Sequence, residues 1–422
     1  MRRVSWCLSF GLLLAIALFP RASSAQTPTP VSWDEVRLRF ETNNPNLRAG
    51  QLGIDESKAN EISAFLRPNP TATILADQID PFPGGPSHGP FSFLLSSATV
   101  SYLHERRHKR ELRLESAKEA TDIAVSGQAD LDRTLLFELR SAFVQVLQAK
   151  AVLQLAKDNL EYYDHFLDLN RERLKAGGMA KVDMQRLELQ RVQYESDLQT
   201  AEVNLITAKV QLLMLINDGT HVDQFDVSGP FDFANRIPSR DEVRQTALDT
   251  RPDLRAALQA VTKAQTDHKL AIADGSTDPT FALDVGRNPP IDQYFGVSVS
   301  VPLRIFDRNQ GEKLRTKIDI DRNQRLMDAA KAQVLSDVDT AHATLNSTIL
   351  LLQPYKDHYL QEATEVRDSV QFAYEHGASS LLDYLNAQSD YRNVQLGYLN
   401  LVGSYLTAAA NLNMSVGREV IQ

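Results

Sequence analysis

The sequence predicts a mainly helical chain made of two copies of one unit, each holding a pair of β-strands and a long helical hairpin. Two motifs recur at an offset of 207 residues: residues 239–244 (SRDEVR) repeat 32–37 (SWDEVR), and 251–256 (RPDLRA) repeat 44–49 (NPNLRA). This period is too long for a solenoid repeat, so it indicates two fused copies of one structural unit.

The segment 104–216 predicts the first helical hairpin. Residues 104–176 contain no proline and a single glycine, and at about 1.5 Å per residue they would span roughly 110 Å. Apolar residues recur every seven positions, with mostly small residues three positions further on, which is typical of a coiled-coil seam. The seam is Leu139, Val146, Leu153, Leu160, Leu167 and Leu174, with Ala142, Ala149, Ala156 and Tyr163 beside it. Gly177 and Gly178 end the helix, and 181–216 returns the chain. Taken alone, this stretch also fits a coiled-coil tether.

Residues 1–25 are predicted to be a cleavable secretory signal. Two arginines precede a short apolar run, 8–19, and small residues end at Ala25, so Gln26 is the expected first mature residue. The single cysteine, Cys7, lies in this leader, which leaves the mature chain without a disulfide. The expected compartment is therefore periplasmic, extracellular or outer-membrane.

The chain is acidic. Its formal net charge is −9, and removal of the leader, which carries three arginines and no acidic residue, brings the net charge to −12. An acidic secreted chain is a poor candidate for binding nucleic acid. No stretch after Gln26 is long and apolar enough to predict a transmembrane helix.

The first unit is expected to span 26–217. Period-two alternation predicts strands at 71–77 and 91–102, on either side of a loop rich in proline and glycine at 80–90. The helical hairpin, at 104–216, completes this unit.

An inter-repeat linker, 218–238, leads into the second unit, 239–422. Strands are predicted at 281–286 and 294–303, and a second helical hairpin at 311–414. Its heptad row is Val338, Leu345, Leu352, Tyr359 and Val366, interrupted by Pro354.

The strand pairs have one apolar face and one face of small or polar residues. In a barrel that crosses lipid the polar face would line the lumen, whereas a small soluble sheet packed on helices would show the same alternation. Four strands per chain cannot close a lipid-facing barrel, so membrane insertion requires an oligomer. A dimer would give eight strands with a filled interior, and a trimer gives twelve strands with a wide lumen, which favours the trimer.

Three motifs resemble those of the TolC-like outer-membrane efflux proteins. They are VSVSVPL at 297–303, FDRNQG at 306–311 and YEHGASSLLDYLNAQ at 374–388. With the two-fold repeat, they extend the resemblance over essentially the whole mature chain. The segment FLRPNP at 65–70 and the first loop look most like the branch that serves cobalt–zinc–cadmium and other heavy-metal pumps.

The resemblance implies a homotrimer with a membrane β-barrel of twelve strands in the outer membrane and a tunnel of twelve helices across the periplasm. It implies a passive exit duct of a tripartite efflux system for small solutes or metal cations. The implied partners are outer-membrane lipid, a periplasmic adaptor protein and an inner-membrane pump, which we expect to be proton-driven. The turn glycines Gly177, Gly178 and Gly377 mark the tip that would contact the adaptor.

The resemblance also places a closed periplasmic gate at these turns. Asp183 and Asp383 each stand six residues after the first glycine of their turn. Three copies of Asp383 would form a carboxylate ring that favours cations. Tyr374 lies where the family has a tyrosine that can bond to the neighbouring hairpin's aspartate, here Asp183. Alternatively, both aspartates are ordinary charges at helix N-termini. Asn386 and Ser379 replace a second aspartate and an arginine that family members can carry.

No catalytic, cofactor or metal site is predicted. His104 and His108 stand four residues apart, a spacing that can hold zinc on a helix, but no third ligand is clear and neighbouring cations oppose a metal. The chain shows no nucleophile constellation and no phosphate loop, so we predict no enzyme. Two rivals of the exit duct stay open: an outer-membrane channel for peptide or protein export, and a periplasmic coiled-coil scaffold without a pore.

Overall fold

A computed structural model describes residues 30–79, 82, 89–92 and 94–421. The predicted leader, 1–25, and most of the predicted loop 80–90 lie outside these residues. No helix in the part of the chain that the structure describes is long and apolar enough to cross a membrane.

The elements follow one another in the same order twice. The first series is α1 (Trp33–Asn43), α2 (Pro45–Phe65), β1 (Thr71–Asp77), β2 (Leu95–Leu103), α3 (Lys109–Lys175) and α4 (Lys181–Leu215). The second series is α5 (Arg240–Thr250), α6 (Pro252–Asp274), β3 (Thr280–Asn288), β4 (Ile291–Ser300), α7 (Gln310–Pro354), a π-helical turn (Tyr355–Tyr359), α8 (Leu360–Glu375) and α9 (Leu381–Val416). In the second series, α7, the π turn and α8 together take the place of α3.

The second strand begins at Leu95, four residues later than the alternation predicts. The amide of Ser92 donates to the carbonyl of Gly89 at 3.0 Å, and that of Leu94 donates to Phe91 at 3.2 Å. Because of these hydrogen bonds, the described residues just before Leu95 form a turn and do not pair with β1. The first pair between β1 and β2 is therefore Asp77 with Leu95.

Helix α3 begins at Lys109, later than the predicted start at His104. Arg107 and His108 have φ angles of 59° and 55°, in the left-handed region that ends or precedes a helix. The amide of His104 instead donates to the carbonyl of Pro279 at 2.9 Å, which ties the end of β2 to the start of β3.

The predicted heptad row of the second hairpin is wrong beyond Pro354. Leu345 and Leu352 are fully buried, but Tyr359 and Val366 are 44% and 53% exposed in the single chain. The π-helical turn that follows the proline inserts one extra residue per turn, so the inward-facing row moves forward by one position. Sequence spacing alone cannot show this change of register.

The four strands form one antiparallel sheet in the order β1-β2-β3-β4. Strands β3 and β4 run closer to their turn than predicted, because Asn288 still pairs with Ile291. The pairing Val100–Leu283 between β2 and β3 joins the strands of the two units. The sheet therefore has two unpaired edges within one chain, β1 and β4.

The helices form a layer in which α3 packs against α4 on one side and α9 on the other, while α9 packs against α7 and α8. Helices α4 and α7–α8 are therefore the two flanks of the chain.

Asn44 and Arg251 are equivalent residues of the repeat and tie the short helices to the long ones. The Asn44 amide donates to the carbonyl of Leu215 at 2.9 Å, and the Arg251 guanidinium donates to the carbonyl of Ser415 at 3.2 Å. Both side chains are nearly inaccessible, at 3% and 4% exposure. The two copies thus use different side chains to satisfy carbonyls in the last turn of the returning helix.

Candidate functional site

The two hairpin turns lie side by side at one end of the molecule. Gly177 and Gly377 have φ angles of 78° and 76°, which a side chain would strain, so glycine allows each chain reversal. The guanidinium of Arg173, in the last turn of α3, donates to the carbonyl of Glu375 in the second turn. The tips are therefore joined within one chain.

Asp383 caps the helix that leaves the second turn. Its carboxylate accepts from the amide of Ser380 at 3.1 Å and from the Ser380 hydroxyl at 2.6 Å, and the hydroxyl in turn accepts from the amide of Asp383. The Ser380 hydroxyl, then the Ser380 amide, hold the pKa of Asp383 below its ordinary value. Within one chain Asp383 thus performs the ordinary helix-terminal role that the sequence left as an alternative, and its charge remains accessible to solvent.

Asp183 has looser surroundings in the first turn of α4. Its carboxylate is 3.9 Å from the guanidinium of Arg186, and both side chains are largely exposed. This exposed pair contributes little to stability.

The Tyr374 hydroxyl donates to Asn170 Oδ1 at 3.3 Å, in place of the expected bond to Asp183. The Tyr374 ring lies beside the stacked rings of Phe166 and Tyr384, with centroids 5.9 and 5.5 Å away, and this packing directs the hydroxyl to α3. Burial, with a smaller contribution from Asp183, raises the pKa of Tyr374, so it remains a neutral donor.

Asn170 is a functional candidate that the sequence reasoning missed. It is 1% exposed, and its amide donates to the carbonyl of Phe166 at 2.8 Å while its oxygen accepts from Tyr374. It stands seven residues after Tyr163, in the second row of the predicted seam. A polar residue at that seam position was the available signal.

Tyr374→Phe is expected to lower the free energy of unfolding by about 1–3 kcal/mol, because the buried oxygen of Asn170 loses its donor. Thermal or denaturant unfolding of the purified protein measures the change. Tyr391→Phe is the matched control, since the Tyr391 ring stacks under Arg367 at 4.1 Å and its hydroxyl makes no hydrogen bond within the described chain. Equal losses in both variants would contradict the role assigned to Asn170.

A groove of about 640 Å³ runs between α3, α4 and α9. Leu139 and Phe143 of α3 pack with Phe40 of α1, whereas Gln145 and Gln148 stand on the opposite side of α3 and line the groove. Its wall is rich in uncharged polar side chains, including Gln145, Gln148, Asn159, Asn204, Thr207 and Asn400. The ion pair Arg392–Asp197, at 3.0 Å, also lies on this wall.

The sheet exposes a continuous apolar face. Leu283 pairs with Val297 and with Val100, and all three side chains are more than half exposed. The same face also carries Ile74, Phe281, Val285, Phe295 and Val299. Thr99, Asp284 and Ser298 lie on the other face. A soluble sheet packed on helices would bury the apolar face, so the exposure argues against that alternative.

Among the residues that the structure describes, His104 and His108, the two histidines considered for zinc, lack the cluster of further ligands that a metal site needs. The His108 ring is 87% exposed and 3.9 Å from Glu111. Across the described ranges, no three histidine, cysteine, aspartate or glutamate side chains come together as a metal site.

Comparisons with known proteins match this architecture. Residues 243–418 match the family model described as outer membrane efflux protein. The chain is 23% identical over 412 residues to the cobalt-zinc-cadmium resistance protein CzcC of Cupriavidus metallidurans, covering 96% of this chain and 93% of that protein. It is 24% identical over 293 residues to the pyoverdine export outer membrane protein OpmQ of Pseudomonas aeruginosa, covering 66% of this chain and 60% of that protein.

Among solved structures, CusC, described in connection with folding and transmembrane channel formation, superimposes with a TM-score of 0.77 at 16% identity. The match covers 95% of this chain and 96% of CusC. The predicted fold class, a repeated unit of strands and long helical hairpins, is confirmed by this likeness.

The second unit thus matches the outer membrane efflux protein family over residues 243–418, and the chain as a whole has the fold of CusC. The matching family is one of efflux proteins and CusC is described as forming a transmembrane channel, which agrees with the prediction that the chain is not an enzyme.

Proposed function

We propose that this protein is a homotrimeric exit duct that receives metal cations or small solutes from an inner-membrane pump through an adaptor protein. The observation that carries the proposal is the sheet, which is open at both edges and exposes its apolar face. Three copies that pair β4 of one chain with β1 of the next would close twelve strands, leaving no edge unpaired. The apolar face would then meet lipid, and the face with Asp284 would line the lumen.

Two exposed apolar stripes on the flanks support assembly with second copies of the chain. The stripe on α4, which we name the α4 stripe, is Val182, Leu189, Val192, Val203, Ile206, Val210 and Met214. The opposite flank exposes Leu350, Leu351, Tyr359, Val366 and Phe372 on α7, the π turn and α8. Because the stripes lie on opposite flanks, copies can join head to tail into a closed ring of twelve helical segments. The groove between α3, α4 and α9 would face the interior of this tunnel.

The domain organisation that we propose follows the repeat: a leader at 1–25, units at 26–217 and 239–422, and the linker 218–238 between them. The recurrence of the element order and the equivalence of Asn44 and Arg251 support it. At the far end, we propose that the turns at Gly177, Gly178 and Gly377 contact the adaptor, because their backbone is exposed at the extremity of both hairpins.

Heavy-metal cations are the cargo best supported by similarity, since the likeness to CzcC extends over 96% of this chain. The name of OpmQ records pyoverdine export, so one protein similar to this chain is named for a different cargo. The mainly uncharged wall of the groove fits passage of hydrated solutes without binding. We also propose that the partner pump in the inner membrane is driven by protons.

We propose that Asp383 forms the cation-selecting ring of the closed tip, with Asp183 nearby and Tyr374 holding α8 to α3 through Asn170. The exposed carboxylate of Asp383 and its lowered pKa support a ring that stays charged at neutral pH. Three neighbouring carboxylates would oppose this lowering.

Asp383→Asn is expected to weaken the cation preference of the purified duct in a planar bilayer, because three charges leave the narrowest ring while the amide oxygen still caps the helix. Asp241→Asn is the matched control, since Asp241 also stands in the first turn of a helix but lies on α5, far from the tip. Unchanged selectivity in Asp383→Asn would show that Asp383 only caps the helix.

Mass measurement of the detergent-solubilised protein tests the trimeric assembly. A monodisperse monomer would overturn the proposed trimer.

A further inference from the structure

A cavity of about 700 Å³ lies on the side of α3 where α1 packs, between α1, α2, α3, α9 and residues 417–421. Trp33, Phe40, Phe137 and Leu406 form apolar parts of its wall. The cavity is separate from the tip and from the groove on the opposite side of α3, so the proposed conduction path does not use it. Its size is within the range of small-molecule sites.

Five arginines line this cavity in a chain whose formal net charge is −9. Four of them are engaged: Arg37 with Glu41, Arg48 with the carbonyl of Thr42, Arg133 with the carbonyl of Met414, and Arg418 with the hydroxyl of Thr246. Each of these four guanidinium groups therefore already has a hydrogen-bonding partner within the protein.

Arg140 differs from the other four. Its guanidinium lies over the Trp33 ring, 4.4 Å from the centroid, and within the described residues it makes no hydrogen bond or ion pair. Stacking leaves the in-plane N–H donors free at the edge of the group. Burial lowers the pKa of Arg140, while Glu419 and Asp34 raise it from outside ion-pair distance. A partly desolvated cation without a direct partner is stabilised by an anion brought to it.

We propose that this cavity binds an amphipathic organic anion, whose carboxylate or sulfonate pairs with Arg140 and whose apolar body lies between Trp33 and Leu406. The planar fork of Arg140 matches a two-oxygen anion, and Trp33 and Phe137 offer aromatic surface for the body. Glu419, on the exposed tail that borders the cavity, is a competing carboxylate. Asn413 holds this tail by accepting from the amides of Val420 and Ile421 at 2.8 and 3.0 Å.

Fluorescence of Trp33 gives a direct test. The sequence has two tryptophans, of which Trp6 lies in the predicted leader, so Trp33 is the single tryptophan of the mature chain. The probe is 8-anilinonaphthalene-1-sulfonate, which accepts energy from tryptophan. N-phenyl-1-naphthylamine has the same aromatic body without the sulfonate. Both are titrated into the full mature protein in lipid nanodiscs while Trp33 emission is followed.

The sulfonate is expected to quench Trp33 saturably and more tightly than the neutral dye. Arg140→Gln should weaken its binding about tenfold or more, because one charge-assisted hydrogen-bonding pair is lost. Arg140→Lys should retain part of the affinity, and Glu419→Gln should increase it. Arg325→Gln, at a side chain that is 88% exposed on α7, is the control and should change nothing.

Equal binding of both dyes, or unchanged sulfonate binding in Arg140→Gln, would overturn the site. If Arg140→Gln fails to assemble, Glu419→Gln still decides the matter, because a site centred on Arg140 must bind the sulfonate more tightly in that variant. The readout is dye binding and does not depend on ion conduction or on a partner pump, so its failure is distinguishable from failure of the duct proposal.

Discussion

Val203→Asp is expected to abolish the trimer while the single chain stays folded. Val203 is 60% exposed in the single chain and lies in the middle of the α4 stripe. In the assembly it would be buried against α7–α8 of a second copy. The substitution loses about 1.5–3 kcal/mol of apolar burial per interface and adds the cost of desolvating a carboxylate. Both penalties recur in all three interfaces of a closed ring.

Asn204→Asp is the matched control for this variant. It adds the same charge at the next residue, which lines the groove and not the stripe. Mass measurement of the detergent-solubilised proteins should find a trimer for Asn204→Asp and a monomer for Val203→Asp. The reverse result would show that the α4 stripe faces the lumen and that the groove forms the interface.

Arg251→Ala is expected to reduce the free energy of unfolding by about 3–5 kcal/mol, the typical cost of breaking a buried ion pair. The Arg251 guanidinium donates to Asp253 at 2.6 Å and to Asp337 at 2.9 Å, in addition to the Ser415 carbonyl. It therefore joins α6, α7 and α9. Its loss would leave two carboxylates and a helix-end carbonyl without their shared donor.

Arg240→Ala is the control for Arg251→Ala. Arg240 also pairs with an aspartate of α7, Asp339, at 2.7 Å, but its side chain is 56% exposed. An exposed pair contributes about 0–1 kcal/mol. Chemical denaturation should therefore separate the two variants, and equal losses would show that burial of Arg251 is unimportant.

The Arg251 network also has an expected pH dependence. Burial raises the pKa of Asp253, but the hydrogen bond and charge of Arg251 outweigh it, so the folded pKa lies below the ordinary value. The stabilisation is therefore complete above the ordinary aspartate pKa and is lost as the pH falls through the folded pKa. Unfolding of the wild type should approach that of Arg251→Ala at acidic pH.

The sequence by itself determined the repeated unit, the strands and the hairpin turns. The motif offset, the alternation in the strands and the glycines at the turns are local or periodic signals, and each is readable without knowing what packs where. The identity of the fold class followed from them together with the resemblance.

Tertiary structure alone decided the features that depend on residues far apart in the chain. The π turn after Pro354 changed the register of the helix, so Tyr359 is exposed while Val370 and Tyr374 of α8 pack against the core of the hairpin tips. Packing of Tyr374 beside the stacked rings of Phe166 and Tyr384 directed its hydroxyl to Asn170, 204 residues away, and not to Asp183. Similarly, Arg140 is unremarkable in sequence, and only the packing of α1 and the tail around α3 leaves it without a direct partner in a cavity. Side-chain contacts of this kind depend on the distance and direction between helices, which periodicity does not encode.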